Sequence, residues 1–300
     1  MSTHRRTHPN AQSKAARLLL GLALSSGIGL LAYKRRSLTK GGAAGAVATG
    51  TTIFGLGGWP WGISLIYFFL SSTLLSHFRE KEKASTAADK FSKGSQRDLA
   101  QVLANGGVAS FYAAAASTTR SEALQQTLQA GFVGALATAT ADTWATEIGV
   151  LSPHQPRLLT TGQPVAPGTS GGITLSGSIA SALGAFTLGL VSWATQSLRK
   201  SRASLPFVAL LSGLTGSLCD SLLGATVQAM SFCPHCQRET ERAIHACGTR
   251  TRPLRGISWC NNDVVNALAS LAGSLTAIVL HCILRPASPS QKRTASGAEL

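Results

Sequence analysis

The sequence predicts an all-α protein, a polytopic membrane bundle of about seven or eight transmembrane helices that carries a small Cys/His loop. Three observations predict it. Charged residues are only 13% of the 300 residues, while hydrophobic ones are 44%; a soluble domain carries roughly 25% charge. The charges are gathered into short segments between long charge-free runs, as in chains that cross a bilayer repeatedly. The 31 glycines follow no triplet period and the apolar residues no heptad, which excludes collagen-like and coiled-coil chains, and the apolar content excludes disorder as the main state.

The spans follow in order. Leu18 to Tyr33 is apolar, flanked by Arg17 and by Lys34, Arg35 and Arg36. It spans about 24 Å as a helix, short but sufficient. A signal peptide has similar flanks, but no small-x-small cleavage site stands before Lys34, and the run is read as a retained helix. Residues 41–76 carry no charge. They can form a helical hairpin turning at Gly57-Gly58-Trp59-Pro60, with Trp59 and Trp61 at an interface. Residues 77–98 form a basic loop with Arg79, Lys81, Lys83, Lys90, Lys93 and Arg97. Further spans are expected at 99–118, 123–141, 173–196, 204–230 and 264–284. The expected organisation is a basic N-terminal segment at 1–16, a membrane domain at 17–285 with the Cys/His loop at 231–262 inserted, and a disordered tail at 286–300.

Lys+Arg number 27 against 12 Asp+Glu, a net charge of +15. No nucleic-acid-binding motif accompanies this charge. The basic residues lie between apolar runs, where they hold helix ends at anionic headgroups. Loops 34–40, 77–98, 142–172 and 231–263 share one face of the membrane and hold 16 of the 27 basic residues. That bias is weak as a guide to sidedness, but every motif-rich loop falls on the same face.

Five segments carry chemistry. Asp142-Thr143-Trp144-Ala145-Thr146-Glu147 places two carboxylates at the end of an apolar run. An ionisable group at membrane depth costs about 2.5–3.5 kcal/mol and needs a partner, an ion or a wet cavity. On one regular helix the two lie about 140° apart and cannot both grip one ion. Interfacial charge at a helix end is the plainer reading. Gly168-Thr169-Ser170-Gly171-Gly172, ahead of an apolar helix, offers backbone N–H groups to a phosphate, with Arg157 and His154 upstream; a plain loop is the alternative. Asp220 is the lone charge between Ala203 and Gln237. Asp142-Thr143 and Asp220-Ser221 share an acid-then-hydroxyl pattern that suits an internal repeat. Asn262, Asp263 and Asn266 share one helix face, with Asn262 or Asp263 also suited to cap it. Finally Cys233, Cys236, His245 and Cys247 have the types and spacing of a structural Zn²⁺ site, with His235 or Cys260 as substitutes and free thiols or a disulfide as rivals. Cys219 and Cys282 read as small apolar residues.

These strings resemble the integral-membrane family called domain of unknown function 92, which contains transmembrane protein 19 and the plant phytyl-phosphate kinase. The resemblance rests on residues 142–149, 156–161, 165–172, 220–228 and 261–266, in that order, and on Gln101 to Gly107. It implies an integral membrane protein that moves a phosphoryl group from CTP or ATP to a polyprenyl monophosphate. Such chemistry needs neutralised, aligned phosphates. Asp142, Glu147 and Asp220, with Asn262, Asp263 and Asn266, would hold Mg²⁺ on the nucleotide; Gly168–Gly172 would cradle phosphate; Arg157 would offset transition-state charge. For Arg79, Lys81 and Lys83 a solvated helix end is expected. Alternatives are a transporter or flippase, which intramembrane acids suit equally, or a cytidylyltransferase forming a CDP-lipid. The expected partners are the bilayer, a polyprenyl phosphate and a nucleoside triphosphate. The Cys/His loop departs from the plant kinase pattern and resembles prokaryotic relatives, which implies the cytoplasmic membrane of a prokaryote.

Overall fold

The computed structural model describes residues 11–87, 96–196 and 204–284. Residues 1–10, Lys90, Lys93 and the expected tail at 286–300 lie outside them. Among the described residues each expected span appears as a helix. Helix α1 (Ala11–Lys34) packs on α2 (Lys40–Thr52), which runs into a π-helical turn at Ile53–Gly57. Gly58, at φ +86°, breaks the path, and α3 (Trp59–His77) starts beyond it with Pro60 in its first turn. Glycine adopts that φ freely, and proline there loses no needed N–H. This is the hairpin turn expected at 57–60. A short α4 (Glu80–Ala87) follows a 68° bend. Then come α5 (Leu99–Thr118), α6 (Glu122–Gly149), α7 (Leu175–Ala194), α8 (Leu205–Thr226) and α9 (Asn262–Ile283).

Side chains start these helices by taking up orphan N–H groups. Thr39, Ser121 and Thr174 cap α2, α6 and α7, and Asp98 forms a capping box with Gln101 on α5. Asn261 caps α9, accepting from the N–H groups of Asp263 and Val264. The cap thus precedes both Asn262 and Asp263, which stand inside the first turn.

Helix α6 is the axis of the bundle, in contact with α3, α5, α7, α8 and α9. Every residue from Gln129 to Ala141 is buried. Small residues make this possible, because packing between lipid-embedded helices rests on close backbone approach and hydroxyl hydrogen bonds. Gly213 of α8 faces Ala137, and Gly216 faces the Thr138 side chain. Gly273 of α9 also faces Thr138, and Gly134 faces Ala277. The contacts therefore advance together along α6 and α8 and in opposite senses along α6 and α9. A Cβ at Gly216 would overlap the Thr138 side chain. Gly216→Ala is expected to cost about 1–3 kcal/mol through overpacking, seen as a lower melting midpoint in detergent and relieved by adding Thr138→Ala.

The outer surface has the opposite character. Leu175, Ile179 and Leu183 of α7 are exposed in steps of four, and Leu268, Leu271, Leu275 and Val279 of α9 in steps of three and four. Such stripes on one helix face turn apolar side chains outward to the acyl tails. Among the described residues four helices are long and apolar enough to cross a membrane: α1, α7, α8 and α9; the bent α3–α4 pair makes a fifth. Seven or eight crossings exceed what length and composition establish. Helix α2 is short at 13 residues, and α5 and α6, at 20 and 28, are too rich in polar and small residues to qualify. A helix wrapped by other helices gains nothing from an oily surface, so hydropathy under-reports it.

Two small sheets lie outside the bundle. Strands β1 (Arg157–Leu158) and β2 (Gly172–Ile173) pair antiparallel between α6 and α7. Strands β3 (Met230–Cys233), β4 (Arg238–Thr240) and β5 (Arg252–Arg255) form a sheet of order β4-β3-β5 between α8 and α9.

Candidate functional site

Helix α6 does not stop at residue 141 but continues to Gly149, so Asp142 and Glu147 are both helical. Asp142 is one turn beyond Thr138, and Asp220 is one turn beyond Gly216. Since Thr138 meets Gly216 between parallel helices, the two acids face one another across the α6–α8 seam. They are close enough to sense each other's charge, and Asp220 also senses Glu241. Asp220 Oδ2 is buried and has no hydrogen-bond partner among the described residues. An uncompensated buried oxygen of this kind is costly, and a cation would satisfy it. The start of α9, with Asn262, Asp263 and Asn266, lies at the same end of the bundle as the end of α8, since the Ala229 N–H donates to the Cys260 carbonyl at 2.7 Å.

Glu147 points elsewhere, as its 140° offset from Asp142 dictates. Lys83 Nζ donates to Glu147 Oε2 at 2.5 Å and to the carbonyls of Leu75 and Ser76 at 2.6 and 2.9 Å. The Ser76 hydroxyl donates to Glu147 Oε1 at 2.7 Å. Lys83 is therefore buried, at 7% exposure, and not the solvated residue expected from its basic loop. Arg97 also senses the Glu147 charge; its own burial lowers the guanidinium from its ordinary pKa, and Glu147 pulls it back up. The three acids thus divide around α6: Asp142 and Asp220 toward α8, Glu147 toward α3 and α4.

The 168–172 turn does not run straight into a helix. Gly172 and Ile173 form β2, and Thr174 caps α7. Gly171, at φ +83°, lies against the Ala225 backbone of α8, where no Cβ would fit. Ser170 donates to Gln228 Oε1 at 2.8 Å. Thr169 turns its hydroxyl back to the Ala166 carbonyl at 2.7 Å, and Gly168 has φ +79°. The turn therefore packs against the C-terminal end of the helix that carries Asp220. Arg157 is exposed and donates to the Gly162 carbonyl at 2.9 Å, closing the neighbouring turn.

The Cys/His loop brings Cys233, Cys236, His245 and Cys247 together, with their ligand atoms within 4.8 Å of one another. Cys233 Sγ is 3.7 Å from Cys247 Sγ, and His245 Nδ1 is 3.2 Å from Cys247 Sγ. A tetrahedral ion with Zn–S bonds of about 2.3 Å sets sulfurs roughly 3.8 Å apart, so the cluster fits. The fourth position goes to His245, not to His235 or Cys260. The Cys247 thiol is lowered to about 5 by hydrogen bonds from the Thr249 hydroxyl and backbone and from His245, while Cys236 is raised to about 11, first through its hydrogen bond with Cys247.

Three residues join these parts in roles that the sequence reading did not assign. Gln228, at 1% exposure, accepts from Ser170 and donates to Glu241 Oε1 at 2.9 Å. It ties the 168–172 turn to the Cys/His loop, beside Asp220. Arg255 donates to the carbonyls of Gly224 and Ala225, both at 3.0 Å, closing the end of α8. Lys83 is the third. Gln228 left a sequence signal, a long polar side chain in an otherwise uncharged run. Lys83 and Arg255 left none, since other charged residues stand close to both.

The arrangement defines a class: an integral, multi-pass helical membrane protein with paired acids on adjoining helices and a clustered Cys/His loop beside them. The chain belongs to the integral membrane protein family DUF92, whose sequence profile matches residues 23–274. It is similar to Protein PGR of Arabidopsis thaliana, 35% identical over 283 residues, covering 87% of this chain and 96% of the relative. An uncharacterized membrane protein of Methanocaldococcus jannaschii is 29% identical over 89% of this chain and 96% of its own. Protein VTE6, chloroplastic, of Arabidopsis thaliana is 28% identical over 53% of this chain and 39% of its own. No solved structure matches the chain.

Proposed function

We propose that the protein is a polyprenyl monophosphate kinase that moves a phosphoryl group from CTP or ATP to a lipid phosphate. The observation that carries the reading is the Asp142–Asp220 pair across the α6–α8 seam, with Asp220 Oδ2 buried and unpartnered. The family implied by the sequence and the partial similarity to Protein VTE6 support it. Asp142 and Asp220 are hard oxygen donors suited to Mg²⁺, with Asn262, Asp263 and Asn266 completing the ligand set from α9. When bound there, Mg²⁺ would neutralise and align phosphate oxygens.

The chain's own groups do the rest. The 168–172 turn offers its backbone to phosphate, and Arg157 supplies positive charge at the loop surface. Glu147 does not ligate the ion in this reading; it fixes Lys83. In this reading α1, α2, α3, α5, α6, α7, α8 and α9 cross the bilayer, with α6 shielded by the others. The archaeal relative and a cyanobacterial one, 26% identical over 81% of this chain, support a prokaryotic cytoplasmic membrane.

Cys233, Cys236, His245 and Cys247 would hold a structural Zn²⁺, which would brace the loop that carries Glu241, the partner of Gln228. Elemental analysis of purified protein is expected to find about one zinc per chain, as a four-ligand structural site requires, and Cys233→Ser is expected to remove it. Zinc at wild-type level in that variant excludes the assignment.

The deciding experiment incubates purified protein with isoprenoid monophosphates and labelled CTP or ATP, with and without Mg²⁺. Lipid diphosphate plus nucleoside diphosphate supports the kinase. Released pyrophosphate makes the protein a cytidylyltransferase, and lipid movement without nucleotide turnover makes it a carrier.

A further inference from the structure

A cavity lies between α1, α2, α3 and α5, across α6 from the α8 seam that holds Asp220. It is a cleft partly open to the surroundings, with about 90 Å³ of room for water-sized molecules. Its walls are apolar: Leu24 and Ile28 of α1, Phe54 after α2, and Leu65, Ile66 and Phe69 of α3. One wall carries polar groups a helical turn apart, Arg97, Gln101 and Asn105, and Arg97 is the sole charged residue in the lining. Along α3 the lining runs from Gly62 to Phe69, about 10 Å at helical rise.

Arg97 is placed firmly. Its N–H donates to the Ser37 carbonyl and its carbonyl accepts from Thr39, both at 3.0 Å. The guanidinium lies 5.9 Å from the Phe68 ring centre and makes no side-chain hydrogen bond or ion pair among the described residues. Glu147, the acid whose charge it feels, is already bound to Lys83. Arg97 is half-buried, and a guanidinium facing apolar walls is costly unless an anion meets it. A neutral lipid would leave this cation uncompensated, and a nucleotide would set sugar and base against hydrocarbon walls. An anionic head on an apolar chain satisfies both.

We propose that this cavity binds a single-chain lipid monophosphate, with the phosphate on Arg97 and the chain between α1, α2, α3 and α5. The assignment rests on the function proposed above for the lipid's identity and deepens it by naming where the lipid sits. It puts the lipid chain across α6 from the Asp142–Asp220 pair, with Arg97 near the end of α6 where Glu147 lies.

The test is equilibrium binding to full-length protein in nanodiscs, without nucleotide or divalent cation. The probes are geranylgeranyl monophosphate, geranylgeraniol and inorganic phosphate. Arg97→Gln is expected to weaken the lipid phosphate roughly tenfold or more, the loss of a charge-assisted contact, and to leave the alcohol unchanged. Arg97→Lys is expected to retain most affinity. Ala46→Phe, which fills the cavity, is expected to weaken both lipids. Wild-type affinity in Arg97→Gln or in Ala46→Phe overturns the site. Should Arg97→Gln fail to fold, Ala46→Phe and Arg97→Lys decide: loss in the first with retention in the second supports the site, and any other pattern overturns it. Lipid binding retained in a protein without phosphoryl transfer leaves this site standing while the kinase reading fails; phosphoryl transfer with wild-type binding in Ala46→Phe does the reverse.

Discussion

Asp220→Asn is expected to lower Mg²⁺-dependent phosphoryl transfer by about 10²–10³-fold, the range seen when one preorganised electrostatic group is removed from an active site. Asparagine keeps the shape of the side chain and one oxygen, but not the charge. Asp142→Asn is expected to act similarly, and the double variant to lose little more than either, because the two acids work as one unit. Neither change should unfold the protein, since each relieves repulsion between two carboxylates that sense one another. The measurement is initial rate with saturating lipid phosphate across a Mg²⁺ titration, beside the melting midpoint in the same detergent. Wild-type rate in either variant removes the pair from the chemistry. A destabilised protein with a normal rate per folded molecule reduces both acids to structural groups.

Lys83→Met carries the largest expected effect on stability. Methionine fills the space of the lysine stem but leaves the Glu147 carboxylate without its cation. Breaking a buried pair from one side costs roughly 3–5 kcal/mol. Glu147 keeps 22% side-chain exposure, so about 3 kcal/mol, the lower end of that range, is expected. Two carbonyls, of Leu75 and Ser76, also lose a donor, and α4 loses its tie to the end of α3. Adding Glu147→Gln is expected to restore much of the loss, because no uncompensated charge then remains. A double-mutant cycle on melting midpoints measures the coupling. Strictly additive effects would show that the ion pair contributes nothing beyond its separate side chains.

These two pairs show how the site divided between what was legible and what was not. Asp142 and Asp220 were visible because each interrupts an uncharged run, and a charge at membrane depth has few reasons to be there. The repeated acid-then-hydroxyl pattern suggested that they meet, and small residues one turn earlier, Thr138 and Gly216, let their helices approach. Glu147 looked equivalent to Asp142, and only its 140° offset hinted otherwise. Its partner could not be read at all. Lys83 stands among Arg79, Glu80, Lys81 and Glu82, where nothing local marks one lysine as buried. The helix caps behaved alike: Asp98 with Gln101 follows a short-range rule, whereas Asn261, Asn262 and Asp263 offered three candidates that backbone geometry alone separated.

The amino-acid order by itself determined the class of protein, the places of the long helices, the turn at 57–60 and the ligand types of the Cys/His loop. Each of these depends on neighbours within a few residues: apolar run length, a cap, a glycine and proline at a break, a cysteine spacing. Tertiary structure decided which acids share a seam, which acid binds a lysine, that Gln228 joins two loops 58 residues apart from Ser170 to itself, and that Arg97 ends in an apolar cavity. Those outcomes depend on which faces of α6 meet which helices. That choice is made by close packing of Gly134, Gly213, Gly216 and Gly273 over distances along the chain that no local pattern spans.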